Sequence, residues 1–423
     1  MSNAVQALKK RGLITEVTSS DVFTRLSPPA AVYAGFDPSS DSLQAGNLVA
    51  IMILRRLQDY GHKVVALVGG ATGLVGDPSG KASERNLLAE EQVRKNSVSI
   101  RKSLSKFIDT ESRKAPGKIV NNADWLASFP FVEFLRDVGK HFRMGTMLGK
   151  ESVRARLAAE NGMSFAEFSY QLLQAYDFLH LYDTEECVLQ AGGSDQWGNI
   201  TAGIDLVRKL RSVEVFGATA PLVCDSSGRK LGKSEQGTVY LDSRKTPVYD
   251  FYQYFIRTED ADVIRYLRIF TTLPDSEIDD LRQETESSPE KRLAQRKLAE
   301  EITRLVHGKE GLESAHRASS LIFGEAMDGL HADELLAVFS DAPSVAIDSA
   351  EVDSMPIVDL SVRCGLCESR SEARRLIKSG GLYMNNNRVT SAEEKVSYGR
   401  IIDGRLLVLR SGKKNYRLVK VQN

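Results

Sequence analysis

Cysteine is scarce: four residues in a chain of 423, too few for a disulfide framework at this length. Cys364 and Cys367 form a lone C-x-x-C with no second pair downstream and no histidine nearby. We therefore read them as small residues of a helix–turn segment rather than as part of a zinc site. Long apolar runs are missing too. No stretch approaches the ~18–20 apolar residues that span a bilayer. The first residues, MSNAVQALKKRGLI, lack the apolar core and small-residue cleavage site of a signal peptide. The expectation is a cytoplasmic protein with no membrane partner.

Net charge is also absent, with 56 Lys/Arg against 56 Asp/Glu. The balance conceals an asymmetry. From Pro356 to Asn423 there are 14 basic and 6 acidic residues, so the preceding chain carries 42 basic and 50 acidic. A basic C-terminal module on an acidic body favours contact with a polyanion, most simply nucleic acid, over a merely solvated basic face.

What remains is ordinary globular composition, 42% hydrophobic and 26% charged, at a length that predicts two or three domains. Ala31–Phe36 (AVYAGF) and Lys63–Val68 (KVVALV) read as buried strands, and Leu48–Tyr60 between them has helical periodicity. That is a βαβ unit, hence a parallel sheet. Lys118–Asn121, Val188–Ala191 and Pro221–Cys224 are candidates for further strands. From Pro247 to about Phe323 the chain reads as helical. Asp341–Pro356, rich in Asp, Ser and Pro with little periodicity, reads as a linker. Beyond it lie a helical stretch and β-like runs at Gly381–Val389 and Leu406–Arg410.

Ligands of parallel sheets bind at the carboxyl ends of the strands, so the residues after each apolar run are the candidates for chemistry. After Phe36 a polar turn and a helix start near Gly46 present Asp37, Ser39, Gln44 and Asn47, where exposed N–H groups favour phosphate. Gly46 permits close approach of a nucleotide. After Val68 comes GGATGLVGDPSGK, ending at Lys81 with Arg85 one turn on. It is neither a Walker A loop nor G-x-G-x-x-G, and a strand-to-helix turn alone would explain its glycines. Tyr170, Gln174 and Asp177 are spaced to share one helix face, as an amphipathic surface helix or a polar ligand wall would require. QAGGSDQWGN (Gln190–Asn199) follows another apolar run. Gly228-Arg-Lys230-Leu-Gly-Lys233-Ser234 suits a loop that brings two cations onto a polyphosphate, although a basic surface loop would look the same.

Together and in this order, these segments resemble the bacterial tyrosyl-tRNA synthetases over nearly the whole chain. KLGKS at Lys230–Ser234 is similar to their version of the KMSKS signature. VGGATGLVGDPSGK, GGSDQWGNIT and DVGKHF (Asp137–Phe142) are strings typical of that family, and Ser369–Val389 resembles an S4-type RNA-binding module. The resemblance implies an α/β architecture. A Rossmann-like parallel-sheet catalytic domain would span 1–222 and the KMSKS-type loop region 223–245. A helical anticodon-recognition domain (246–325), a linker (326–356) and a small α+β S4-like RNA-binding domain (357–423) would follow, in a homodimer. It implies ATP-dependent activation of L-tyrosine and transfer to tRNA(Tyr), with Mg-ATP as substrate and no metal held by side chains.

By the same resemblance, Tyr33 and Asp177 would meet the substrate phenol. Tyr170, Gln174 and Asp77 would hold its ammonium, and Gln196 would lie near its carboxylate. Asp195 would grip the ATP ribose, with Asp37, Gly46 and Gly193 lining the nucleotide site. Ser39, Gln44 and Asn47, together with Lys81, Arg85, Lys230, Lys233 and Ser234, would act on the phosphates. Arg370, Arg374, Arg375, Lys378, Arg388, Lys413 and Lys414 would contact RNA. One departure stands out: Gln44-Ala-Gly-Asn47 replaces both histidines of H-I-G-H. Gln and Asn keep an N–H donor but cannot become cationic. A non-catalytic RNA-binding protein on a synthetase scaffold is the alternative.

Overall fold

The structure, a computed structural model, describes residues 3–79, 87–158, 162–234, 237–322, 325, 327, 329–339, 342–412 and 415–422. The chain forms two compact units, Met1–Gly308 and Lys309–Asn423. The long helical run Leu293–Ile322 is broken at Gly308, the last residue of the first unit, whose φ of 74° lies outside the helical region.

The first unit is built on a six-stranded sheet. Its strands are β1 (Glu16–Val17), β2 (Ala31–Phe36), β3 (Lys63–Val68), β4 (Lys118–Asn121), β5 (Cys187–Gly193) and β6 (Phe216–Ala220), in the spatial order β1-β6-β5-β2-β3-β4. β2 to β6 run parallel, and β1 pairs antiparallel at the edge. The chain moves outward from β2 through β3 to β4, then returns to the other side of β2 to lay down β5 and β6. The order reverses between β2 and β5, and that switch opens a crevice at their carboxyl ends. β2 and β3 are almost wholly buried, as their apolar composition requires of strands covered on both faces. The strand expected at Pro221–Cys224 lies earlier, at β6. F-G-A-T-A has little β character, but Gly217 lets β6 approach a helix so closely that a Cβ there would stand 2.3 Å from Ile200.

Helices Val248–Ile256, Asp260–Phe270 and Asp275–Ser287 follow, as the sequence predicts. They belong to the same compact unit as the sheet rather than to a separate one. Arg11 donates to the Leu273 carbonyl at 2.6 Å, and buried Arg56 donates to the Thr271 carbonyl. Between Cys224 and this region, β7 (Lys233–Ser234) and β8 (Gly237–Thr238) form a short hairpin.

The second unit holds the sheet β11-β10-β12-β13-β9, from β9 (Ser344–Asp348), β10 (Leu382–Met384), β11 (Asn387–Arg388), β12 (Leu406–Ser411) and β13 (Asn415–Gln422). Alternation along β12 sends Leu407 and Leu409 into a core with Val358, Leu360 and Ile377, and Leu406 and Val408 into another with Leu335 and Phe339. A linker over 326–356 therefore does not hold. Helix Ala332–Val338 covers one sheet face, and β9 pairs in parallel with β13.

Candidate active site

The crevice between β2 and β5 gathers the polar residues that follow the strands. Asp37, one residue past β2, accepts from Thr72 Oγ1 at 3.0 Å and from the Tyr170 hydroxyl at 2.8 Å. Asp77, in the loop after β3, is buried. It accepts from Gln196 Nε2 at 2.6 Å, while Asn199 Nδ2 lies 3.4 Å from its other oxygen. Asp177 comes from the helix Phe165–Glu185 and is buried, its oxygens accepting from Asn122 Nδ2 at 3.0 Å and Trp125 Nε1 at 2.8 Å. Burial pushes its carboxyl up to about 7 against the opposing pull of those two donors. The Tyr170 phenol is raised by burial and then by the charges of Asp37, Asp77 and Asp177. These carboxylates crowd one phenol, giving an acidic pocket that suits an ammonium ion. Gln174 stands half-buried between Tyr170 and Asp177 on the same helix.

At the other end of the pocket, Tyr33 on β2 is fully buried, its ring 5.2 Å from Phe178 in an edge-to-face pair. Burial and the nearby Asp177 raise its phenol. Tyr33 is in register with Gln190 on β5, which places both side chains on one face of the sheet. Among the described residues, neither the Tyr33 hydroxyl nor Gln190 Oε1 has a hydrogen-bond partner. A buried orphan pair of this kind is costly unless a ligand's polar group completes it.

The nucleotide side is built from backbone. Asn47 Oδ1 accepts the Gln44 N–H at 2.8 Å, so the oxygen is the engaged atom of this amide and its N–H₂ is the donor it can offer a ligand. Segment 43–45 is laid against 239–241: Ala45 N–H donates to Val239 O at 2.9 Å and Leu241 N–H to Leu43 O at 2.8 Å. A Cβ on Gly46 would stand 3.3 Å from the Leu231 carbonyl, and one on Gly232 3.1 Å from the Gly46 nitrogen. The loop bearing exposed Lys230 and Lys233 is thus packed backbone-to-backbone on the helix start that bears Gln44 and Asn47. Asp195, at the exposed end of β5 beyond Gly193, has its carboxyl raised by the protein crowding it and by Asp77, with Lys230 pulling the other way. Ser39 is exposed in the turn after Asp37. The backbone of Ser234 lies in β7. Lys81 and Arg85 fall outside the described residues, as do Lys413 and Lys414.

In the second unit, Arg370, Arg374, Arg375 and Lys378 are exposed on the helix Arg370–Lys378, and Arg388 is exposed on β11. Arg370 pairs with Asp359 at 2.5 Å.

Comparisons of family, sequence and structure converge on one group of proteins. The family described as tRNA synthetases class I (W and Y) matches residues 25–324, and the tyrosine–tRNA ligase SYY-like C-terminal domain matches 334–419. The chain is 49% identical to the tyrosine–tRNA ligase of Geobacillus kaustophilus over 416 residues, 98% of each chain. The chain belongs to the tyrosine–tRNA ligase family.

The ligase of Rhodopirellula baltica is 45% identical over all of this chain and 97% of its own. Among solved structures, a C-terminally truncated mitochondrial tyrosyl-tRNA synthetase of Aspergillus nidulans superposes with a TM-score of 0.69 at 32% identity. It covers 76% of this chain and 95% of its own. For a ligase of this family, sequence reasoning passed over Asn122, Trp125 and Thr72, which hold the pocket carboxylates. A signal for Asn122 existed: it directly follows the β4 run.

Proposed function

We propose that the protein activates L-tyrosine with ATP to tyrosyl-adenylate and pyrophosphate, then transfers the tyrosyl group to the terminal ribose of tRNA(Tyr). The observation carrying this reading is the buried Tyr33 hydroxyl and Gln190 carbonyl, partnerless among the described residues, beside the Asp177 carboxylate. Asp177 accepts one donor on each oxygen and has lone pairs to spare, so a phenol hydroxyl would donate to it and accept from Tyr33. Phenylalanine would leave these groups unpaired, a penalty worth ~10⁴–10⁵ in discrimination, for which tyrosyl-tRNA synthetase is itself the known example.

Tyr170, Gln174 and the acidic floor with Asp77 would hold the ammonium, and Gln196, held by Asp77, would sit near the carboxylate. The tyrosine carboxylate oxygen attacks the α-phosphorus as the bond to pyrophosphate breaks. Lys230, Lys233 and Ser234, with Lys81 and Arg85, would stabilise the departing charge, and Ser39, Gln44 and Asn47 would donate to phosphate and ribose. Asp37, Gly46, Gly193 and Asp195 would line the nucleotide site. Magnesium enters with ATP as part of the substrate. No covalent nucleophile is needed, because positioning and charge stabilisation carry this chemistry.

The exposed basic residues of the second unit would contact tRNA as an S4-like module, and the region 246–325 would recognise the anticodon. Between Phe131 and Phe165, Phe131, Val132, Leu135, Met144, Leu148, Leu157 and Phe165 are all exposed, more apolar surface than a lone subunit favours. A second copy of the chain would cover it.

The test is tyrosine-dependent exchange of labelled pyrophosphate into ATP, with phenylalanine and tryptophan as controls. Exchange with tyrosine alone is expected. No exchange, in folded protein that still binds tRNA, would transfer the role to RNA binding alone.

A further inference from the structure

The loop carrying Lys230 and Lys233 has an anchor that the activation chemistry does not use. Gly232, between the two lysines, is buried with φ +84°, and its N–H donates to the hydroxyl of Tyr254 at 2.9 Å. Tyr254 belongs to the helix Val248–Ile256. Across the chain from this contact lies the nitrogen of Gly46, 3.1 Å from where a Gly232 Cβ would be. The backbone at Gly232 is therefore held between a phenol on one side and the helix start on the other. The flanks of the loop are tied to the same helical region. Ser226 N–H donates to buried Asp262 Oδ2 at 2.7 Å, and Arg265, which also pairs with Asp262 at 2.7 Å, donates to the Cys224 carbonyl.

We propose that Tyr254 is a positioning residue for the lysine loop: its hydroxyl fixes the reversal at Gly232 and so sets where Lys230 and Lys233 stand over the helix start. The assignment rests on the ligase reading above. Its physical basis is that a buried N–H needs a partner. Without the hydroxyl, Gly232 must move to find water, and the lysines on either side move with it. Displacement of about 1 Å in a charge-stabilising group costs on the order of 10²-fold in rate. The tyrosine pocket, walled by β2, β5 and the helix Phe165–Glu185, lies on other elements and would be untouched.

The experiment compares full-length wild-type protein with Tyr254→Phe, which removes one oxygen atom, and with Gly232→Ala, which intrudes on the approach to Gly46. Tyrosine affinity is measured by equilibrium dialysis, pyrophosphate exchange at saturating tyrosine and ATP, and backbone hydrogen exchange over 226–241. For Tyr254→Phe we expect tyrosine affinity within about twofold of wild type, an exchange rate about tenfold lower or more, and faster hydrogen exchange at Gly232. Gly232→Ala should show the same rate defect.

An unchanged rate and unchanged hydrogen exchange in Tyr254→Phe would overturn the proposal, as would a loss of tyrosine affinity in step with rate. Wild-type protein without exchange activity would sink the ligase reading. The hydrogen-exchange comparison would still decide whether Tyr254 holds the loop.

Discussion

Single side chains in this site are tuned by what surrounds them rather than by their own chemistry. Asp177 is the clearest case. Desolvation drives its carboxyl up, and Asn122 and Trp125 restrain it to about 7. Because the folded value is raised above the ordinary 3.8, the folded chain holds this proton where the unfolded chain has released it. The group therefore costs stability increasingly as pH climbs from about 4 toward about 7. Binding has the opposite slope. A substrate phenol would donate more strongly to the Asp177 carboxylate than to its neutral acid, so tyrosine affinity should be highest above about pH 7 and fall as pH drops below it. Asp177→Asn should weaken tyrosine binding at high pH by about tenfold or more and flatten the profile. Equilibrium dialysis across this range checks both; a wild-type affinity that ignores pH would refute the assignment. Asp177 was legible in the sequence through its spacing from Tyr170 and Gln174. Its tuning was not, because Asn122 and Trp125 lie more than fifty residues away along the chain.

Among elements, the helix Phe165–Glu185 is the one the site leans on, since it presents Tyr170, Gln174 and Asp177. Its start is a capping box: Glu167 N–H donates to Ser164 Oγ at 3.3 Å, and Ser164 N–H lies 3.4 Å from Glu167 Oε2. The same Glu167 oxygen accepts from Arg156 at 3.1 Å, with both side chains nearly inaccessible, at 2% and 4% exposure. Glu167→Ala would remove the side-chain arm of the capping box and leave the buried Arg156 guanidinium without its carboxylate, so it should cost about 3–5 kcal/mol. Urea unfolding monitored by circular dichroism measures it; a loss below about 1 kcal/mol would mean that Arg156 escapes to solvent. The strands β2, β3 and β4 were legible residue for residue: for β2 and β3, runs such as KVVALV announce burial on both faces, and β4 is a short apolar run, only partly buried at the sheet edge. β9 was not. Its apolar alternation amounts to Val345 and Ile347 within an acidic, Ser- and Pro-containing stretch, and what makes it a strand is pairing with β13 at the far end of the chain.

At the scale of the molecule, the exposed apolar side chains between Phe131 and Phe165 call for a partner surface. Phe131 is 66% exposed and Phe165 68%, values that water penalises at ~25 cal/mol per Å² of apolar area. On the proposal that a second copy covers them, wild-type protein should sediment as a dimer, and the double variant Phe131→Glu/Phe165→Glu should sediment as a folded monomer. A wild-type protein that sediments as a monomer would refute the interface. The grouping of the chain into units also belongs to this scale. The helices after Pro247 join the sheet's unit through contacts such as Arg11 to Leu273, and the helix Ala332–Val338 and strand β9 build part of the second unit.

The sequence by itself determined the parallel sheet, the polar residues delivered to strand ends and the basic C-terminal module, because these depend on local periodicity, composition and short spacings. The tertiary structure alone decided which of those residues meet. It set Gln190 beside Tyr33, closed Asn122 and Trp125 on Asp177, laid the lysine loop on the helix start at Gly46 and brought Tyr254 to Gly232. Each of these contacts joins segments remote in sequence. Their pairing depends on strand order and on the close approach of backbones at glycines, and no local pattern encodes either.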